Sequence, residues 1–70
     1  MKFANNLKNA LYNERLTQAD LAKKIGVSDM SVSRYVNGKK LPSTQKLILI
    51  SKAVGVSMDT LLLGDVKRAK

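Results

Sequence analysis

Cysteine and histidine are absent from this 70-residue chain. That inventory excludes disulfide staples, zinc sites built from Cys and His, and catalysis by thiol or imidazole groups. Without cysteine, redox chemistry does not constrain the compartment, and the cytoplasm is the default expectation. Carboxylates are scarce: five Asp and Glu stand against 13 Lys and Arg. They are dispersed, the hydroxyl nucleophiles have no imidazole or thiol partner, and no glycine loop of the phosphate-cradling kind occurs, so no enzyme is expected. Long apolar runs are missing too. The most apolar stretch is Leu47 to Ile50, far short of the roughly 20 residues that span a bilayer. The N-terminal segment lacks the apolar core of a signal peptide, and no basic helix offers an uninterrupted apolar face to a membrane surface. These absences predict a soluble intracellular protein that needs no cofactor, metal or small-molecule ligand.

What the chain does have is positive charge. A formal net charge of +8 on 70 residues makes a strong field that draws polyanions, whether nucleic acid or anionic membrane. Charge alone does not choose between them. The length allows one domain that buries roughly 60% of its unfolded surface, with a stability of a few kcal/mol. Short helices and tight turns suit that limit.

Phe3, Leu7 and Leu11, with Ala4 and Ala10, line one face of a helix from Lys2 to Glu14. Thr17 opens a capping box with Asp20, and Leu21, Ala22 and Ile25 follow at helical spacing until Gly26, which predicts a second helix from Thr17 to Ile25. Ser28 is the N-cap of a third, with Val32, Tyr35 and Val36 inward and Asn37-Gly38 closing it. A basic loop from Lys39 leads to Pro42 and Ser43, which start a fourth helix carrying Leu47, Ile50, Ala53 and Val54 and ending at Gly55. Ser57 caps a short fifth helix around Leu61 and Leu62, stopped by Gly64. No segment alternates like a strand. The expected fold is all-α, five short helices in one domain over residues 1–64, followed by a charged, frayed tail over residues 65–70.

The string LTQADLAKKIGVSDMSVSRYVNGKKLPS, Leu16 to Ser43, continued by KAVGVSMDTLL, resembles the Cro/repressor family of helix-turn-helix proteins, also called the XRE family. The matching residues also have physical reasons of their own. Ala22 is small where the third helix must cross the second, and Gly26 takes a positive φ cheaply, so the chain leaves one helix and enters the next within a few residues. A lone Ala and Gly at this spacing would occur in any small bundle; the whole ordered string together with the charge is far more specific.

In helix-turn-helix proteins the third helix of this arrangement enters the major groove and the second crosses the phosphate backbone. With Val32 and Tyr35 inward, helical period leaves Ser28, Asp29, Met30, Ser33 and Arg34 outward as base-reading candidates. Arg34 can pair bidentately with guanine O6 and N7, its alternative being a phosphate contact. Asp29 either stabilises the helix N-terminus or accepts from cytosine N4. Met30 suits a thymine methyl, and the Ser28 and Ser33 hydroxyls bond either base type. For phosphate, Thr17 and Gln18 stand at the start of the second helix, where the resemblance implies the same role for Gln18. Asn37, Lys39 and Lys40 follow the third helix, and the amides around Ser43 and Thr44 form another anion site. Solvated surface charge is the plain reading of each Lys. Lys8, Arg15, Lys23, Lys24, Lys46 and Lys52 contribute to the general field.

Many relatives pair an Arg in the first helix with a Glu at the end of the third. Leu11 and Val36 occupy those positions here, which predicts an apolar contact in place of a buried ion pair, an exchange that avoids desolvating charge. The four successive apolar residues Leu47 to Ile50 cannot all be buried by one helix face, so some must face the first helix or a partner. The resemblance implies a homodimer on a two-fold DNA operator, with Ile48, Leu49, Met58 or Leu63 as subunit contacts or plain additional core. The leading expectation is a sequence-specific regulator of transcription that represses by occupying double-stranded DNA. The competing one is an antitoxin or adaptor of the same fold that works through protein contacts.

Overall fold

The computed structural model describes residues 2–64. Five helices account for most of them: α1 Lys2–Asn13, α2 Gln18–Ile25, α3 Asp29–Val36, α4 Thr44–Val54 and α5 Met58–Leu63. Among the described residues there is no strand, as the absence of alternation predicts. The frayed tail expected over residues 65–70 lies outside them.

Each helix from α2 to α5 begins where a hydroxyl can accept a free N–H of the first turn. Thr17, Ser28, Ser43 and Ser57 are all extended N-caps, accepting from the backbone N–H of Asp20, Ser31, Lys46 and Thr60 respectively. Thr17 is therefore a cap rather than the first helical residue, Ser28 is the cap expected of it, and Pro42 stands one residue outside the Ser43 cap. The α2 box is complete, since the Thr17 N–H also donates to Asp20 Oδ2 at 2.9 Å. These bonds, the Thr17 backbone N–H first and then its side chain, hold the Asp20 carboxyl below its usual pKa, with Lys23 and Lys24 adding a smaller pull. Because the folded pKa is lowered, this contribution is present above the unfolded carboxyl's pKa and fades as pH falls through the folded one.

The ends of α1 to α4 follow one scheme. Val27 N–H donates to Ala22 O at 3.0 Å across Gly26, which sits at φ 73°. Lys39 N–H reaches Arg34 O at 2.9 Å and Gly38 N–H reaches Tyr35 O at 3.3 Å at the end of α3, the paired bonds of a left-handed helix stop. The end of α1 has the same bonds, Leu16 N–H to Leu11 O and Arg15 N–H to Tyr12 O, but the residue with positive φ is Arg15, at 57°. A Cβ costs energy in this region, so Arg15→Gly is expected to raise stability by about 0.5 kcal/mol after the added chain entropy of glycine is subtracted. Gly26→Ala should do the reverse, by about 1 kcal/mol. An added Cβ at Gly26 meets nothing within 4 Å, so that cost is one of backbone conformation alone. Thermal melts followed by circular dichroism should show shifts of opposite sign, about 2–4 °C up and 4–8 °C down; shifts of the same sign would contradict the assignment.

The core is a single cluster in which Leu7, Leu21, Val32, Ile50, Val54 and Leu61 are completely buried. α1 packs on α3 and α5, α2 packs on α3 and α4, and α4 packs on α5. The expectation about Leu47 to Ile50 resolves accordingly. Leu47 and Ile50 are buried, on a helix that packs against α2 and α5, while Ile48 and Leu49 keep 38% and 40% of their surface. Leu11 and Val36 are both buried in the shared cluster, on helices that pack together. One polar tie closes the arrangement: Asn6 Nδ2 donates to Leu61 O at 2.9 Å, joining α1 to α5.

Candidate nucleic-acid interface

Three residues, Gly26 to Ser28, separate α2 from α3. Such a turn demands a residue that leaves α2 in the left-handed region, and Gly26 supplies it. It also demands close packing at the crossing, and Ala22, which is 2% exposed, stands in the core that α2 and α3 share. Val32, Tyr35 and Val36 fix the rotation of α3 by their burial. The outward side of α3 is thereby determined.

That side carries the residues expected on it. Ser28, Asp29, Met30 and Arg34 are exposed and Ser33 is half-buried. They are not independent of one another. Arg34 Nη2 donates to Met30 Sδ at 3.5 Å, one helical turn back. Asn37 Nδ2 donates to Ser33 Oγ at 3.2 Å, again one turn back. Asn37, expected beside phosphate, is thus joined to the same outward stripe as Ser33. Ser28 is partly spent on structure, because its Oγ accepts the Ser31 N–H and lies 3.2 Å from Ser31 Oγ. Asp29 occupies the first turn of α3, where the helix dipole favours its charge.

Among the phosphate candidates, Thr17 and Gln18 are exposed at the start of α2. The capping box uses the N–H groups of Thr17 and Asp20, and those of Gln18 and Ala19, in the first turn, have no partner within the helix, the arrangement in which a helix start accepts an anion. Lys39 and Lys40 are exposed in the loop after α3, and Ser43 and Thr44 are exposed at the start of α4, with Ser43 Oγ committed to the Lys46 N–H.

Lys46 departs from the sequence reading. Assigned above to the general field, it is half-buried, and its ammonium group donates to Ile25 O at 3.4 Å. A cation on the last carbonyls of a helix suits the dipole, so Lys46 ties the C-terminus of α2 to α4 and helps set the helix expected to cross the phosphates. No pattern announces this bond, since the partners are 21 residues apart.

A helix-turn-helix domain is what this geometry defines: α2 and α3 packed through a three-residue turn, with the polar face of α3 turned outward. The family model described as helix-turn-helix matches residues 7–61, and the chain belongs to that family, of the Cro/repressor or XRE type. It is 36% identical over 63 residues to the uncharacterized HTH-type transcriptional regulator YqaE of Bacillus subtilis, covering 90% of this chain and 54% of that protein. It is 36% identical over 61 residues to the cryptic phage CTXphi transcriptional repressor RstR of Vibrio cholerae, covering 87% of this chain and 54% of that one. The chain therefore spans about half the length of both relatives. A crystal structure of the c2 repressor of phage P22 in complex with a synthetic operator superimposes with a TM-score of 0.87 at 29% identity, covering 93% of this chain and 98% of that chain. No described helix is long and apolar enough to cross a membrane.

Proposed function

We propose that the chain is a sequence-specific regulator of transcription that binds double-stranded DNA and represses by occupying an operator. The observation that carries the reading is the superposition on a repressor solved with its operator, over nearly the whole chain. The +8 charge supplies the general attraction. In this reading Arg34, Ser33, Asp29 and Ser28 face base edges, Met30 stands beside Arg34 on the same stripe, and Thr17, Gln18, Asn37, Lys39, Lys40, Ser43 and Thr44 hold phosphate. No catalytic step is required, and the cytoplasm is where the protein would meet its DNA.

Selection of genomic fragments by the protein, followed by footprinting, tests the proposal and yields the operator. On that operator, Arg34→Ala should remove about 1–3 kcal/mol of discrimination at particular base pairs. Lys40→Ala should weaken all sequences alike and reduce the salt slope by about one. Uniform loss across sequences for Arg34→Ala would remove its assignment as a reader.

The operator is proposed to be two-fold and the bound form a homodimer. Support comes from Ile48, Leu49, Met58, Leu62 and Leu63, which are 36–60% exposed on the adjoining helices α4 and α5. Analytical ultracentrifugation with and without operator reads the stoichiometry, and one chain per operator would refute the dimer. The same exposed residues favour the second reading, an antitoxin or adaptor acting through protein contacts. Selection that enriches no DNA sequence would support it.

A further inference from the structure

The outward face of α3 holds Met30 and Arg34 one turn apart, and the Arg34 guanidinium is folded back so that Nη2 meets the Met30 thioether at 3.5 Å. We propose that Met30 is a positioning residue for Arg34, and that it acts on guanine preference through the guanidinium instead of touching a base itself. This rests on the reading of Arg34 as a base reader.

The chemistry of the pair supports that role. Arginine has a long side chain with many rotamers, and ordering it on DNA costs free energy that a pre-ordered side chain does not lose again. Any partner on the same helix could restrict it, but partners differ in what they take from it. A carboxylate would accept two parallel N–H bonds and occupy the fork that guanine must use. A thioether is a weak, polarizable acceptor that takes a single N–H. Of the five guanidinium N–H groups, four remain for O6, N7 or a phosphate. Met30 therefore steadies Arg34 without competing for the base. Its own exposure, 63%, indicates that packing into the core does not explain its place. The Ser33–Asn37 bond repeats the i to i+4 arrangement on the same face, so Ser33, like Arg34, has a partner one turn away before DNA arrives.

The test is a comparison of Met30→Ala, Met30→Leu, Arg34→Ala and Met30→Ala with Arg34→Ala, each as the full chain. Affinities are measured for the selected operator and for its single-base-pair variants, and thermal melts confirm folding. Arg34→Ala identifies the guanine it reads. Met30→Ala and Met30→Leu are both expected to lower preference for that guanine by about two- to tenfold, and Met30→Ala should have no further effect there once Arg34 is alanine. Three results would overturn the proposal while leaving Arg34 a reader. These are full retention of guanine preference in Met30→Ala, an equal further loss in the Arg34→Ala background, and a loss confined to a thymine that Met30→Leu retains and that replacing the thymine by uracil reproduces. The last would make Met30 a methyl reader. If Arg34→Ala alters no positional preference, the reader assignment falls first and this proposal falls with it.

Discussion

Leu11→Arg should destabilise the domain by about 3–5 kcal/mol, enough to leave a domain of this size largely unfolded at 25 °C. Leu11 is 5% exposed and Val36 is 1% exposed in the same cluster, so an arginine at position 11 would place a desolvated charge with no carboxylate to meet it. Val36→Glu alone should be similarly harmful. The double substitution, Leu11→Arg with Val36→Glu, places an ion pair at the two positions and should recover part of the loss, with a coupling energy of about 0.5–3 kcal/mol. Urea titrations followed by circular dichroism supply the four stabilities of the cycle. Zero coupling would mean that the two side chains do not face each other, and the apolar exchange would lose its explanation.

Leu61→Ala is the second large effect, with an expected cost of about 2–5 kcal/mol. The helix that carries it, α5, has six residues, and Leu61 is its buried member, at 0% exposure. So short a helix has almost no stability of its own; it exists because that side chain enters the core and because its carbonyl accepts the Asn6 amide. Its neighbour offers an internal control. Leu62 is 41% exposed, and Leu62→Ala on the monomer should stay within about 0.5 kcal/mol. Hydrogen exchange adds the location: Leu61→Ala should strip protection from α5 first. Equal costs for the two leucines would show that burial does not decide the stability of this end of the molecule.

The parts of the fold that were legible in the sequence are those written within three or four residues. Thr17, Ser28, Ser43 and Ser57 each announce a helix start because the cap hydroxyl and the N–H that donates to it lie three positions apart, and the inward faces of α1, α2 and α3 repeat with the helical period. The shift of one residue at the start of α2, from Thr17 to Gln18, arises because the cap itself keeps extended backbone. Features that depend on distant chain were not legible. Arg15 is a local exception, its left-handed conformation closed by bonds within five residues yet not advertised by an arginine. Lys46 finds the Ile25 carbonyl only after α2 and α4 have packed. The four apolar residues from Leu47 could not be divided into inner and outer pairs without knowing that α4 lies on α2 and α5.

For the site, residue types and helical period named the outward stripe of α3, but they named its members singly. The joining of Met30 to Arg34 and of Ser33 to Asn37 depends on which rotamers the side chains take, and spacing allows these pairs without requiring them. Asn37 in particular was placed by its position after the helix, whereas its amide reaches back along it.

The Asn6 bond to Leu61 has a temporal side. Of the described helices α1 is made first, yet its partners are α3 and α5, and α5 is the last of them to be made. On a ribosome adding about 5–20 residues per second, roughly 3–10 s pass between synthesis of Leu11 and that of Leu61. During that interval the apolar face of α1 waits, partly uncovered, for its closing partner. Capture of nascent chains by holdase chaperones should therefore be greatest in that window and fall once residue 61 has cleared the exit tunnel.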